Sequence, residues 1–487
     1  MTLKHSIGLA IVLFWCVMNF LLIKRQIWAP PPPLFVHGTE VITESRQEWW
    51  GIYYRGEKIG YTSQTIEPHL DGYQLTDDSM LRLNLMGTTR NASTRLAMNV
   101  DKEWVLKNFD FELQSNDVHF KSRGKVVPGK LQLEIESAGH TSAQEIALTQ
   151  PPYLLAALKP LVATQQLEPG KEHFFATFDP STLSQQITSV VIEAREQTLI
   201  GNKREPAIRF RQKFKGLSVL SWIDGQGRTL KEESPGGFAL LRETQQEAKG
   251  FTGSRAVPLD MIAQSSVPVG AAITEPESRS VLRLKLTGVN LANFGLNQGR
   301  QQLSENELRV EREKVSPSDT FEIPLQDRRF SSFLQSTAFL QSDHPRIRDL
   351  ARQILGAETD ALKAVLRLKN WVYKEIKKEP TVSVPNALEV LQTRKGDCNE
   401  HTVLFNALAR AAGIPARTVV GVVYLRNAFY YHAWSEVWLG TWVSLDSVLD
   451  QFPADVTHIK FIEGEIDRQV NVLQLIGHLK IEVLEEG

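Results

Sequence analysis

From Glu48 to about Gly250 apolar and polar side chains alternate in short segments divided by turn-forming residues. A period of two belongs to a strand, whose successive side chains face opposite sides. Residues 51–54, 60–66, 73–75, 80–85, 94–100, 104–113, 131–135, 190–194, 207–214 and 217–223 carry it, the last ending in Asp224-Gly225-Gln226-Gly227. Connections this short favour antiparallel pairing of neighbours, so the segment is expected to be an antiparallel sheet with few helices. One helix is predicted over 153–162, bracketed by Pro151, Pro152 and Pro160.

The pattern then changes. Residues 281–286 and 307–312 read as strands of a small module, closed off by Ser316, Pro317 and Ser318. Farther on, Leu362, Val365, Leu366, Trp371, Val372 and Ile376 recur at helical spacing until Pro380 and Pro385 break the run, and a second helix is predicted over 387–392. A third opens at Asp397 and Cys398 and closes at Gly413, with Pro415 just after. Strand patterns follow over 417–425, 429–439 and 442–445.

A chain of 487 residues has room for about three domains. Its 42% hydrophobic and 23% charged residues exclude a disordered or polytopic membrane chain. Lys and Arg number 55 against 56 Asp and Glu, which argues against a nucleic-acid partner. Residues 7–23 form an apolar run broken only by Gly8 and Asn19, with Lys4 before it and Lys24 and Arg25 after it. That length predicts an uncleaved single-pass anchor in a lipid bilayer, followed by a stiff spacer over residues 29–33. The span begins almost at the initiator Met and cysteine is scarce, so the body is expected to be extracytoplasmic.

Of two cysteines, Cys16 lies in the apolar run and Cys398 is the only thiol beyond it. Neither a disulfide nor a four-cysteine zinc site is available there, leaving a packed residue or a nucleophile. Asp397 is suited to cap the helix, placing Cys398 in its first turn, where the unpaired N–H groups favour a thiolate. His432 in the second strand and Asp446 at the end of the third supply a base and a carboxylate. Register decides whether they meet. A two-residue turn at Gly440-Thr441 puts His432 and Asp446 on opposite faces, whereas an odd turn, with Gly440 at positive φ, brings them together. His401 is the rival base and Glu436 the rival acid. A metal held by Cys398, His401 and His432 lacks a fourth ligand, so no metal or cofactor is expected.

Four blocks now stand in order: Gly396-Asp397-Cys398; Arg410-Ala411-Ala412-Gly413-Ile414-Pro415-Ala416-Arg417; His432-Ala433-Trp434-Ser435-Glu436-Val437; and Trp442-Val443-Ser444-Leu445-Asp446. Together they resemble the transglutaminase-like superfamily in its bacterial form, over roughly the last third of the chain. The resemblance implies a papain-like core and a catalytic Cys398, His432 and Asp446. It leaves open hydrolysis of a peptide, isopeptide or Gln amide, cross-linking of Gln to amines, and an inactive binding role. The expected fold class is therefore α+β: an N-terminal transmembrane helix and flanks over 1–28, a Pro-rich linker over 29–47, and an antiparallel β-rich domain over 48–255. A small β module and linker (256–330) and a transglutaminase-like catalytic domain (331–487) complete it. A thiol hydrolase acting on protein or peptide is the favoured activity.

Overall fold

The computed structural model describes residues 42–486 apart from 117, 165–166, 202, 215, 251–259, 317 and 319. Fourteen strands, β1 (Arg46–Tyr54) through β14 (Phe238–Glu243), make one sheet in which every neighbouring pair is antiparallel. The order is not a simple meander, because β1 lies between β2 (Glu57–His69) and β14, leaving β8 (His140–Ala147) and β9 (Glu172–Asp179) at the edges. The segments predicted at 73–75 and 80–85 are one strand, β3 (Gly72–Leu85), since nothing between them supplies a turn.

Helix α1 (Leu155–Thr164) runs between the two edge strands, and the preceding Tyr153 bonds β9 through its N–H to Ala176 and its carbonyl from Phe178, both at 2.8 Å. Leu154, Ala157, Leu158, Leu161 and Val162 enter a core with Leu75, Met98, Phe109, Leu131, Phe178 and Phe210. Each of the leucine, valine, methionine and phenylalanine side chains contributes about 1.5–3 kcal/mol by leaving water.

Three further sheets follow. β15 (Val267–Pro268) crosses to a later strand, and β16 (Val281–Thr287), β17 (Gln301–Ser304) and β18 (Glu307–Glu311) begin a sheet of their own. Four helices come next: α2 (Pro345–Leu355), α3 (Ala361–Glu375), α4 (Ala387–Thr393) and α5 (Cys398–Ala411). A two-stranded parallel pair, β19 (Lys377–Lys378) with β20 (Lys395–Gly396), brackets α4. The chain ends in β21 (Ala416–Leu425), β22 (Ala428–Leu439), β23 (Thr441–Leu445), β24 (Ile459–Glu463) and β25 (Lys480–Glu486). β25 returns to pair with β16, so the C-terminus completes the small sheet, whose leucines share one core with β21, β22 and β24. The opposite side of β21 and β22 packs on α5, itself surrounded by α2, α3 and α4.

Two expectations are corrected. The molecule is mostly β-sheet rather than α+β: strands make up 48% and helices 22%, because the fourteen-stranded sheet outweighs the helical cluster. The expected transmembrane helix over 7–23 lies outside the described residues, and among these no helix is long and apolar enough to cross a membrane. The longest, α3, has 15 residues and carries Lys363, Arg367, Lys369 and Lys374. The single-pass placement with an extracytoplasmic body is therefore not supported.

Candidate active site

Helix α5 starts where Asp397 leaves extended backbone and caps it. The Asp397 side chain accepts the Asn399 N–H at 2.9 Å, and Glu400 Oε2 accepts the Asp397 N–H at 2.8 Å, a reciprocal cap that fixes the first turn. Ser383 Oγ donates to the other Glu400 oxygen at 2.5 Å. Thr402 Oγ1 donates to the Ala433 carbonyl at 3.2 Å, and Asn406 Nδ2 to Thr418 Oγ1 at 2.9 Å, pinning the helix to β22 and β21. Cys398 is the first residue of this helix, half-buried and unbridged, with the N–H of Ala433, the residue after His432, directed at its sulfur.

Sequence reasoning favoured a thiolate here, but the balance runs the other way. Burial, with the neighbouring Asp397 carboxylate second, pushes the Cys398 thiol well up, against the pull of the Ala433 N–H. Asp397 itself is raised by burial and by Glu400. That shift favours the thiol form and makes a neighbouring base necessary for attack.

His432 and Asp446 meet. Leu439 faces Thr441 across the single residue Gly440, which has φ of 76°, and Ser435 faces Leu445. The next position sets Asp446 opposite Trp434 and diagonal to His432, as an odd turn requires. His432 Nε2 donates to Asp446 Oδ2 at 2.6 Å. Asp446 is wholly buried, and its other oxygen accepts the N–H groups of Val448 at 2.6 Å and Leu449 at 2.9 Å. Burial disfavours its charge, yet the two histidines around it hold the carboxyl well below the usual range. Among the described residues no hydrogen bond joins Cys398 to His432; such contacts often tighten only when substrate binds.

The rivals are otherwise engaged. The His401 nitrogens face the backbone carbonyls of Asp397 at 2.7 Å and Ile376 at 3.3 Å, and burial lowers that ring's affinity for a proton. Glu436 pairs with Lys460 at 2.8 Å and Arg417 at 2.7 Å. Trp434 lies under His432 with ring centroids 6.1 Å apart, while Trp438 and Trp442 pack with Phe330, nearer the Gly440 turn.

Sequence reasoning missed His458. Its Nε2 bonds the same Asp446 Oδ2 at 3.0 Å, and its Nδ1 faces Asp455 Oδ1 at 3.1 Å. The short Asp455-Val456-Thr457-His458 stretch was the only available signal, and it lies in no periodic pattern. Gly421 makes the approach possible: opposite His432 on one side and Lys460 on the other, it has a Cβ position only 1.8 Å from the Ile459 carbonyl oxygen. His432, Asp446 and His458 present ligand-type atoms within 4.8 Å of one another. The hydrogen bonds they exchange account for that proximity.

Residues 348–447 match the family model of the transglutaminase-like superfamily, a segment holding Cys398, His432 and Asp446 but neither Asp455 nor His458. An uncharacterized protein of Haemophilus influenzae is 33% identical over 95 residues, 18% of this chain and 26% of that protein, so the match spans about a quarter of the relative's length. A candidate cysteine protease of Cytophaga hutchinsonii aligns over 43% of this chain and 87% of its own, with 18% identity and a TM-score of 0.29. A β-barrel-like protein of a domain of unknown function from Brucella abortus aligns over 40% of this chain and 93% of its own, with 12% identity and a TM-score of 0.32. Both structural likenesses are too slight to carry an argument.

Proposed function

We propose that this chain, whose residues 348–447 are a transglutaminase-like domain, is a thiol enzyme that attacks an amide carbonyl through Cys398 and forms a thioester, which water then resolves. The observation that carries the reading is the 2.6 Å bond from His432 to a fully buried Asp446 beside the N-terminus of the Cys398 helix. Nε2 is held by Asp446, so Nδ1 is the nitrogen that serves the sulfur. It takes the thiol proton as Sγ attacks, and later gives it to the leaving amine. Asp446 fixes the ring and stabilises the imidazolium formed in between. The Cys398 N–H, without an intrahelical partner in the first turn, is the donor suited to the carbonyl oxygen as it becomes an oxyanion. A protein or peptide amide is the substrate class we assign.

Partition of an acyl-enzyme tests this reading without knowledge of the natural substrate. The full-length protein is acetylated with p-nitrophenyl acetate, and the Cys398 peptide is followed by mass spectrometry with and without a primary amine. Loss of the acetyl group to buffer at a rate unaffected by amine is expected. Formation of the N-acetylamine in step with that loss makes the enzyme a cross-linking transferase instead. Acetylation equal to that of the His432→Ala variant overturns the catalytic reading altogether.

A further inference from the structure

We propose that His458 is a positioning residue, held permanently protonated between two carboxylates, that shares Asp446 with His432 and thereby sets the pH range in which Cys398 reacts. The inference rests on the catalytic reading above and extends it beyond the three residues that the superfamily match contains.

Both nitrogens of His458 face carboxylate oxygens: Nε2 meets Asp446 Oδ2 at 3.0 Å and Nδ1 meets Asp455 Oδ1 at 3.1 Å. An ionised carboxylate only accepts, so each nitrogen must donate and the ring is a cation. The ring is completely buried, and bonding to the two carboxylates outweighs the burial that disfavours its charge. Asp455 is itself well fixed: Thr457 donates to Oδ1 through N–H at 2.8 Å and Oγ1 at 2.6 Å, and Gln451 Nε2 donates to Oδ2 at 2.9 Å.

Arg300, from the small sheet, donates to the carbonyls of Ala454, Asp455 and His458 at 2.6, 2.8 and 2.7 Å. It pairs with Glu313, which in turn accepts the Ser444 N–H at 2.9 Å. Of the other charged groups around the unit, Lys460 is paired with Glu436 on the sheet, while on the Cys398 side Asp397 and Glu400 are like-charged neighbours, and burial followed by their mutual repulsion raises the Asp397 carboxyl.

His432 thus sees Asp446 already half-compensated, with the second ring centroid 5.8 Å from its own. An unshared buried carboxylate would hold a proton on His432 to higher pH and delay its use as the base for the thiol. The His458 cation opposes this.

The test is the pH dependence of Cys398 acetylation by p-nitrophenyl acetate in the full-length protein, compared with His458→Gln, Asp455→Asn and His432→Ala. In His458→Gln, an amide still reaches Asp446 but the charge is gone, and the midpoint of the rising limb is expected to move up by about 1–2 pH units. Asp455→Asn is expected to move it the same way by less. A purely structural role lowers the amplitude or the melting temperature and leaves the midpoint in place; an unmoved midpoint in whichever variant remains folded overturns the proposal. If the unaltered protein and His432→Ala share one profile, it is the catalytic reading that fails, whatever His458 does.

Discussion

Four N–H groups converge on one buried carboxylate at Asp446, two from imidazoles and two from the backbone. Asp446→Asn keeps the shape but must present an N–H to one of those donors, leaving a buried clash of like groups. Cys398 acetylation is expected to slow by about 10²–10⁴-fold with the fold retained, measured as the p-nitrophenol burst beside a circular dichroism melt. At this scale the sequence was informative where chemistry coincided with ordered spacing. Cys398, His432 and Asp446 stand in such blocks, and the register argument at Gly440 matches the observed pairing of Leu439 with Thr441. It was silent on His458, whose partners Asp446 and Asp455 lie in the connection between β23 and β24, where no periodic pattern runs. It did not reveal the burial and the Asp397 carboxylate that push the thiol up, because helix position is visible in a sequence and these surroundings are not.

Among the elements, β21 shows how a backbone serves the site. Gly421 lies between His432 and the β24 strand, so that a methyl there would strike the Ile459 carbonyl and push β24, with His458 ahead of it, away from Asp446. Gly421→Ala is expected to lower the thermal midpoint and slow Cys398 acetylation together, whereas a substitution remote from β24 would separate the two effects. In the large sheet, Asp77 on β3 is the element with a titration to follow. Burial raises its carboxyl to about 6, against a hydrogen bond from Gln64 at 2.9 Å. The folded chain therefore keeps a proton that the unfolded chain releases near 3.9, and stability falls as pH rises from about 4 through 6. Asp77→Asn retains the Gln64 bond and should add about 1–3 kcal/mol at pH 8 but almost nothing at pH 4, read from thermal melts at the two pH values. The helices around Cys398 were legible because their apolar stripes repeat over several turns: the stripe from Leu362 to Ile376 corresponds to α3, spanning Ala361–Glu375. The turn separating residues 75 and 80 was illusory, a polar patch within one long strand.

Over the whole molecule, the two halves are joined beside the nucleophile's helix. Ser137, at the end of β7 (Lys130–Ser137), donates to the buried Glu389 at 3.0 Å and accepts from Asn386 at 2.8 Å, while Arg90 reaches Glu379 at 2.6 Å and the Pro380 carbonyl at 2.9 Å. Ser137→Ala leaves a buried carboxylate short of a donor and should cost about 1–3 kcal/mol, with faster hydrogen exchange over residues 377–396 as the local sign. None of this joining was legible, and neither was the pairing of β1 with β14 or of β16 with β25, since contacts between distant segments leave no local pattern. The apolar run at 7–23 was plain in the sequence, yet no described helix has the character of a span. The central claim is that Cys398, a thiol at rest, is activated by His432. The direct measurement is the pH dependence of Cys398 alkylation by iodoacetamide in the full-length protein and in His432→Ala, read on the Cys398 peptide so that Cys16 does not contribute. The expected result is a midpoint lower in the unaltered protein than in His432→Ala, where no imidazole takes the thiol proton and burial and Asp397 alone govern the sulfur. Coincident profiles in the two proteins would contradict the claim.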